Sequence, residues 1–208
     1  MTPGRFGDSR RRRIGLLGGS FNPAHGGHLH VARMARRALG LDEVWLLVSP
    51  GNPLKPAAGM APLAERLASA RRIADGRRVI ATDIERALGT RFTADTLRLL
   101  RRRFRRAHFV FVIGADNLLQ LPRWKGWRGI ARGTALAVLP RPGWTRRALV
   151  GRAASALRRH RRAPAALRAE RFAPHAPWCL VPAREHAASA TAIRQAKARG
   201  EPRERRGP

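Results

Sequence analysis

At 208 residues the chain is long enough for one domain with a sizeable core, and at 44% hydrophobic it is not compositionally disordered. No apolar run approaches the roughly 18 residues a membrane-crossing helix needs, and a single cysteine rules out an intrachain disulfide framework or a cysteine zinc site. The formal net charge of +30 rests almost wholly on arginine, since lysine stands only at 55, 125 and 197, and it calls for anionic ligands or for nucleic acid.

Residues 1–12 read as a disordered basic tail. Arg10 to Arg13 ahead of Ile14-Gly15-Leu16-Leu17 suggests a twin-arginine export signal. That run is too short and ends in Asn22-Pro23, so the reading is rejected. Residues 14–17 form the first strand candidate, followed directly by Gly18-Gly19-Ser20-Phe21-Asn22-Pro23-Ala24-His25-Gly26-Gly27-His28 and an amphipathic helix over 27–39 closed by Gly40. Glycines let a backbone approach a ligand closely. A helix N-terminus offers free N–H groups and positive potential to phosphate. His25 and His28, three apart, share one face of the first turn. Two imidazoles beside a phosphate-binding helix end suit a reaction that builds negative charge on phosphorus; the bland alternative is a tight turn with two solvated histidines.

A second strand over 44–48 runs into Ser49-Pro50-Gly51 and the proline-bounded Asn52-Pro53-Leu54-Lys55-Pro56, where Lys55 can meet a phosphate as a point charge or be an ordinary exposed lysine. A helix over 62–74 and a strand over 78–81 lead to Gly89-Thr90-Arg91-Phe92-Thr93-Ala94-Asp95-Thr96. There Thr93 is expected to cap the helix 94–103, with Asp95 and Thr96 in its first turn. The strand 108–113 ends in Gly114-Ala115-Asp116-Asn117; Asp116 either accepts from a ribose hydroxyl or an amine, or caps the next helix, and both can hold. Helical segments 118–121 and 124–130 flank Pro122-Arg123-Trp124, whose tryptophan is suited to stacking on a ring or to plain packing. A strand over 136–139 precedes Pro140-Arg141-Pro142-Gly143 and a helix over 146–160, within an arginine- and alanine-rich surface excursion over 143–175.

The last strand, 178–181, holds the lone Cys179, which fits a reducing cytoplasm. Ser189 is a natural N-cap for a helix over 191–199, and with Thr191 and Arg194 it makes an anion site. Residues 201–208 read as a second disordered tail, leaving 13–200 as a single domain. Arginine clusters at 10–13, 101–106, 158–162 and 203–206 fall on predicted helix ends, tails and loops, and no DNA- or RNA-reading motif accompanies them. A dedicated nucleic-acid-binding protein is therefore the rival reading, with nonspecific binding expected only at low salt. The alternation of strands and helices implies an α/β fold, Rossmann-like and doubly wound, with a mostly parallel sheet and helices on both faces. Four unusual loops following strands would then meet at one sheet edge as a composite site.

His25-Gly26-Gly27-His28 after a strand resembles the (H/T)xGH signature of the nucleotidylyltransferase superfamily. Phe92 to Thr96 resembles the (Y/F)TxDT segment of bacterial nicotinate-nucleotide adenylyltransferases, with phenylalanine where tyrosine is more usual. Ile113 to Asp116 resembles their IGxD element, Pro122 to Trp124 their PxW element, and Ala188 to Arg194 the superfamily's ISxTxIR motif with alanine replacing isoleucine. The matches run in order over nearly the whole chain.

The resemblance implies that ATP and nicotinate mononucleotide give nicotinate adenine dinucleotide and pyrophosphate, in NAD biosynthesis. It implies catalysis by His25 and His28. ATP would be bound by Gly18, Gly19, Ser20, Phe21, Gly114, Asp116, Ser189, Thr191 and Arg194, and the mononucleotide by Asn52, Lys55, Phe92, Thr93, Trp124 and Arg141. Mg²⁺ would be held mainly by ATP phosphates and water, with no protein metal ligands. No specific nucleic acid or membrane partner is implied, and self-association is left open. Nicotinamide-mononucleotide and phosphopantetheine adenylyltransferases share the HxGH logic and are the alternatives within the superfamily.

Overall fold

Short aliphatic runs buried on both sides are the mark of strands inside a parallel sheet, and every position of Glu43–Val48 and of Ala135–Leu139 is buried. The computed structural model describes residues 3–4, 6–51, 59–168, 176–185, 190, 194 and 199. Among them lie six strands: β1 (Arg12–Gly19), β2 (Glu43–Val48), β3 (Val79–Thr82), β4 (Ala107–Gly114), β5 (Ala135–Leu139) and β6 (Trp178–Leu180). They form one sheet in the order β3-β2-β1-β4-β5-β6, with every neighbouring pair parallel. From β1 the chain works outward through β2 and β3, then returns to lay β4 against the other side of β1. That reversal is the switch point where ligands sit in doubly wound sheets.

Side-chain alternation divides the core into two layers. Leu16, Trp45, Phe111, Leu136 and Trp178 lie in register across five strands and face one side; Leu17, Leu46, Val112, Ala137 and Cys179 face the other. The first side is aromatic, with Trp45 stacked edge-on against Phe104 and Phe109 at ring centroid distances of 5.3 and 5.9 Å. It is covered by α3 (Ile84–Ala87), α4 (Thr93–Arg103), α5 (Ala115–Gln120), α6 (Trp127–Gly133), α7 (Thr145–Leu149) and α8 (Arg152–Ala156). The second side is covered by α1 (Gly26–Leu39), through Ala32, Ala35 and Leu39, and by α2 (Leu63–Ile73), through Leu67 and Ala70. Small alanines let α1 lie close to the sheet. Burial pushes the Cys179 thiol up to about 12, so it is a core residue with little thiolate.

The predicted strands all form, with bounds shifted by one or two residues. One helix differs in kind. The expected helix over 146–160 is broken into α7, α8 and a 3-10 turn (Arg158–His160), because the chain bends at Gly151. A Cβ on Gly151 would come within 2.9 Å of Leu119 Cδ1, so the bend is where two short helices close over α5. The short helix α3 went unpredicted, being only one turn long. At the N-terminal side β1 begins at Arg12, and Arg10 pairs with Asp8 at 2.7 Å. No helix among the described residues is long and apolar enough to cross a membrane.

Candidate active site

The carboxyl ends of β1 and β4 open into a cavity of about 510 Å³, lined by residues from all four loops that the sequence singled out. Gly18, Gly19, Ser20 and Phe21 come from the turn after β1, and Gly114 and Asp116 from the end of β4. Phe92, Thr93, Trp124 and Arg141 close the other wall. Ser189 and Thr191 lie outside the described residues, as do Asn52 and Lys55. Arg194 is described, and its Nη1 donates to Asn22 O at 2.6 Å, which ties it to the turn that carries the histidines.

The two histidines cap the helix they introduce. His25, the N-cap of α1, is extended at φ −149° and accepts the Gly27 N–H on its Nδ1 at 3.1 Å. His28, three residues on, reaches back so that its Nδ1 accepts the His25 N–H at 3.2 Å. This is a capping box built from imidazoles, in the positions where a hydroxyl and a carboxylate usually stand. A neutral imidazole accepting at Nδ1 carries its proton on Nε2, so the hydrogen-bond pattern assigns both rings the tautomer with an Nε2–H donor. The rings lie 3.9 Å apart, and His28 packs on Phe21 at 4.7 Å. Both rings line the cavity beside the N-terminus of α1, an arrangement suited to anionic oxygen.

Phe21 is the one described non-glycine residue with a left-handed backbone, φ 48°, which a bulky side chain adopts only under constraint. Its side chain is buried against Gly19, where an added Cβ would come within 3.2 Å of the ring.

At the carboxyl end of β4, Asp116 lies in the first turn of α5, whose N-cap is Gly114, and its side chain makes no cap bond. Its Oδ1 lies 3.2 Å from Arg141 Nε but is buried and receives no aligned hydrogen bond from the described residues. Of the two roles open to it, capping is not made in this structure.

On the opposite wall the expected cap moves by one residue. Phe92 is extended at φ −113°, ψ 136° and is the N-cap, while Thr93 is already the first helical residue of α4. The first N–H groups of α4 then have no intrahelical acceptor. Lys125 Nζ sits over the Phe92 ring, 4.4 Å from its centroid, and Trp124 packs edge-on against Phe111 at 6.2 Å.

Three residues at this site were not anticipated. Lys125 was findable, because the rarity of lysine that marks Lys55 marks it equally. Glu85 is buried, takes a hydrogen bond from Thr96 Oγ1 at 3.1 Å and lines the cavity. Burial pushes its carboxyl above the usual range against the opposing pull of hydrogen bonds from Thr96 and Ser49. Arg66 is 2% exposed and donates only to backbone carbonyls, and burial pulls its guanidinium below the ordinary value. Neither carried a local signal: both stand among ordinary helical charges in the sequence.

Comparison with known proteins agrees with this geometry. The cytidylyltransferase-like family model matches residues 16–196. A protein of Gluconobacter oxydans (strain 621H), named as a probable nicotinate-nucleotide adenylyltransferase, is 58% identical over 186 residues, covering 88% of this chain and 94% of its own. One of the same name from Gluconacetobacter diazotrophicus is 56% identical over 191 residues, 91% of this chain and 88% of its own. The solved nicotinic acid mononucleotide adenylyltransferase of Plasmodium falciparum, complexed with APC, shares the fold with a TM-score of 0.64 at 16% identity, over 88% of this chain and 83% of that one. With its paired histidines at the switch point of a six-stranded parallel sheet, the chain belongs to the cytidylyltransferase-like family, among the nicotinate-nucleotide adenylyltransferases.

Proposed function

We propose that the protein transfers the adenylyl group of ATP to nicotinate mononucleotide, releasing pyrophosphate and forming nicotinate adenine dinucleotide. The observation that carries this reading is the pair of imidazoles of His25 and His28, each accepting a backbone N–H at Nδ1, in one cavity with the Phe92, Thr93 and Trp124 wall. The 5′-phosphate of the mononucleotide attacks the α-phosphorus of ATP; the new P–O bond forms as the bond to pyrophosphate breaks in line. A phosphate is already an anionic nucleophile, so the reaction needs no general base, and the protein's work is positioning and charge neutralisation.

In this reading His25, His28 and the N-terminus of α1 meet the α-phosphate, where charge develops. Gly18 and Gly19 let the backbone come close, with Ser20 and Phe21 beside them. Ser189, Thr191 and Arg194 take the β- and γ-phosphates, a role supported for Arg194 by its anchor on Asn22 O. Gly114 and Asp116 border the adenosine, where the unsatisfied Asp116 Oδ1 suits a ribose hydroxyl. Asn52, Lys55, Phe92, Thr93, Trp124 and Arg141 surround the mononucleotide. The donors facing the phosphates are N–H groups, which meet anions rather than a hard cation, so Mg²⁺ fits this site as an ion carried on the triphosphate oxygens and water. A cytoplasmic setting is part of the proposal, supported by the buried thiol of Cys179.

Pyrophosphate release from ATP, measured with nicotinate mononucleotide, nicotinamide mononucleotide and phosphopantetheine as separate acceptors, tests the reading. Turnover with phosphopantetheine alone, or with none of the three, would overturn it. Two variants probe the walls. Trp124→Ala is expected to weaken both pyridine mononucleotides by about 1–3 kcal/mol, by analogy with base–aromatic stacking, and to leave the KM for ATP unchanged. At Gly114 an added Cβ would collide with the Asp116 carboxylate and come within 3.2 Å of Arg141 Nε. Gly114→Ala should therefore cost about 1–3 kcal/mol, the usual range for forcing a methyl into a packed site. Thermal melting would show that cost as lost stability, and the displaced Asp116 should raise the KM for ATP in steady-state kinetics; a change confined to the mononucleotide would mean the adenosine side is misassigned.

A further inference from the structure

Arg66, in the second turn of α2, is buried to 2% exposure, and no carboxylate among the described residues pairs with it. Four of its five donor hydrogens go to backbone carbonyls instead. Nε donates to Ala61 O at 2.8 Å, Nη1 to Ser20 O at 2.8 Å and Ser49 O at 2.7 Å, and Nη2 to Pro50 O at 3.2 Å. One side chain thus joins the turn after β1 to the loop after β2, the two loops that flank the histidines on this side of the cavity.

The carbonyls it holds determine where the adjacent N–H groups point. In a trans peptide the C=O and the following N–H are directed oppositely. Drawing Ser20 O and Pro50 O toward Arg66 therefore turns the N–H groups of Phe21 and Gly51 away from it. Both residues line the cavity, and neither N–H is taken by a protein acceptor among the described residues. The Ser20–Phe21 peptide also bears strain, since Phe21 sits at φ 48°. Rotating that peptide would return Phe21 to an ordinary negative φ, but it would take Ser20 O off the guanidinium and point the Phe21 N–H away from the cavity. The hydrogen bond from Nη1 opposes this relaxation.

We infer that Arg66 is a positioning residue for adenylyl transfer: its guanidinium holds the Ser20–Phe21 and Pro50–Gly51 peptides with their N–H groups turned toward the substrates' phosphates. The inference rests on the proposed reaction. It explains why a buried cation is retained with carbonyl partners only, since a carboxylate partner would compete for the donors that the two loops require. Lysine could not replace it fully, because one ammonium cannot span carbonyls on three segments.

The test compares Arg66→Met and Arg66→Lys with the parent chain by steady-state kinetics, at a temperature where circular dichroism shows each fully folded. Arg66→Met is expected to lower kcat by about 10- to 100-fold, the scale of a misplaced reacting group, and to raise the KM for ATP, with Arg66→Lys between it and the parent. A folded Arg66→Met with unchanged kcat and KM would overturn the inference, as would a loss that matches the unfolded fraction. If Arg66→Met does not fold, Arg66→Ala assayed with millimolar guanidinium replaces it: restored turnover supports the clamp, and restored folding without turnover refutes it. ATP binding by titration calorimetry separates this question from the reaction itself. A parent chain that binds ATP but turns over no acceptor counts against the proposed function, while equal ATP affinity in parent and Arg66→Met counts against the clamp.

Discussion

Replacing His28 by alanine is expected to lower kcat by about 10²- to 10³-fold, the loss measured when one preorganised transition-state donor is removed. The expectation follows from what the ring does with its two nitrogens. Nδ1 accepts the His25 N–H at 3.2 Å, which orients the imidazole and commits its proton to Nε2. Phe21 and His25 pack on the ring at 4.7 and 3.9 Å, so the donor is held before substrate arrives. The same substitution removes half of a capping box, which costs about 0.5–2 kcal/mol of stability, a small fraction of what a domain of this size commands. Thermal melting and kinetics on one preparation therefore separate the two roles. A folded His28→Ala with near-parental turnover would remove the histidine pair from the chemistry.

Nicotinate mononucleotide should be preferred over its amide by about 10²-fold or more in kcat/KM, a few kcal/mol of transition-state binding. The two acceptors differ only in a carboxylate against a neutral amide. The wall that would face this group begins a helix: Phe92 is the N-cap of α4 without a side-chain cap bond, so first-turn N–H groups remain to be satisfied. Lys125, over the Phe92 ring, adds a positive charge. A carboxylate can accept from such donors on both oxygens, whereas an amide turns an NH₂ toward one of them and leaves donor facing donor. The net charge of +30 adds a long-range preference for the more anionic acceptor, one that salt would weaken. Equal kcat/KM for acid and amide would refute a donor-lined pocket. Salt titration of the ratio would show how much of the preference is local.

Much of this was legible in the chain because its signals are short-range. A short apolar run, a glycine turn and an amphipathic helix closed by a left-handed Gly40 declare β1 and α1 within thirty residues, since each depends only on near neighbours. The strand-helix alternation declared the sheet and its two covered faces, because parallel strands require crossovers. The expected helix over 146–160 runs across Gly151, a poor helix former; the chain breaks there, and both halves pack on α5 and Leu119. Thr93 has the chemistry of a cap, but Phe92 takes that place, and Thr96, expected only as a first-turn residue, turns inward to Glu85.

By itself, then, the sequence determined the fold class, the location of the phosphate-binding turn and the two histidines, all of which are encoded within one turn or one strand of each residue concerned. Only the tertiary structure decided which charges matter. Among 43 basic residues, nothing local sets Arg66 apart from the arginines of α2 that face solvent. It becomes a clamp because β1 and β2, distant in sequence, lie side by side and bring Ser20, Ser49 and Pro50 to the same edge of the sheet. The reversed φ of Phe21, whose preceding carbonyl Arg66 holds, and the placement of Asp116 beside Arg141 are likewise properties of contacts that only the folded chain brings within reach.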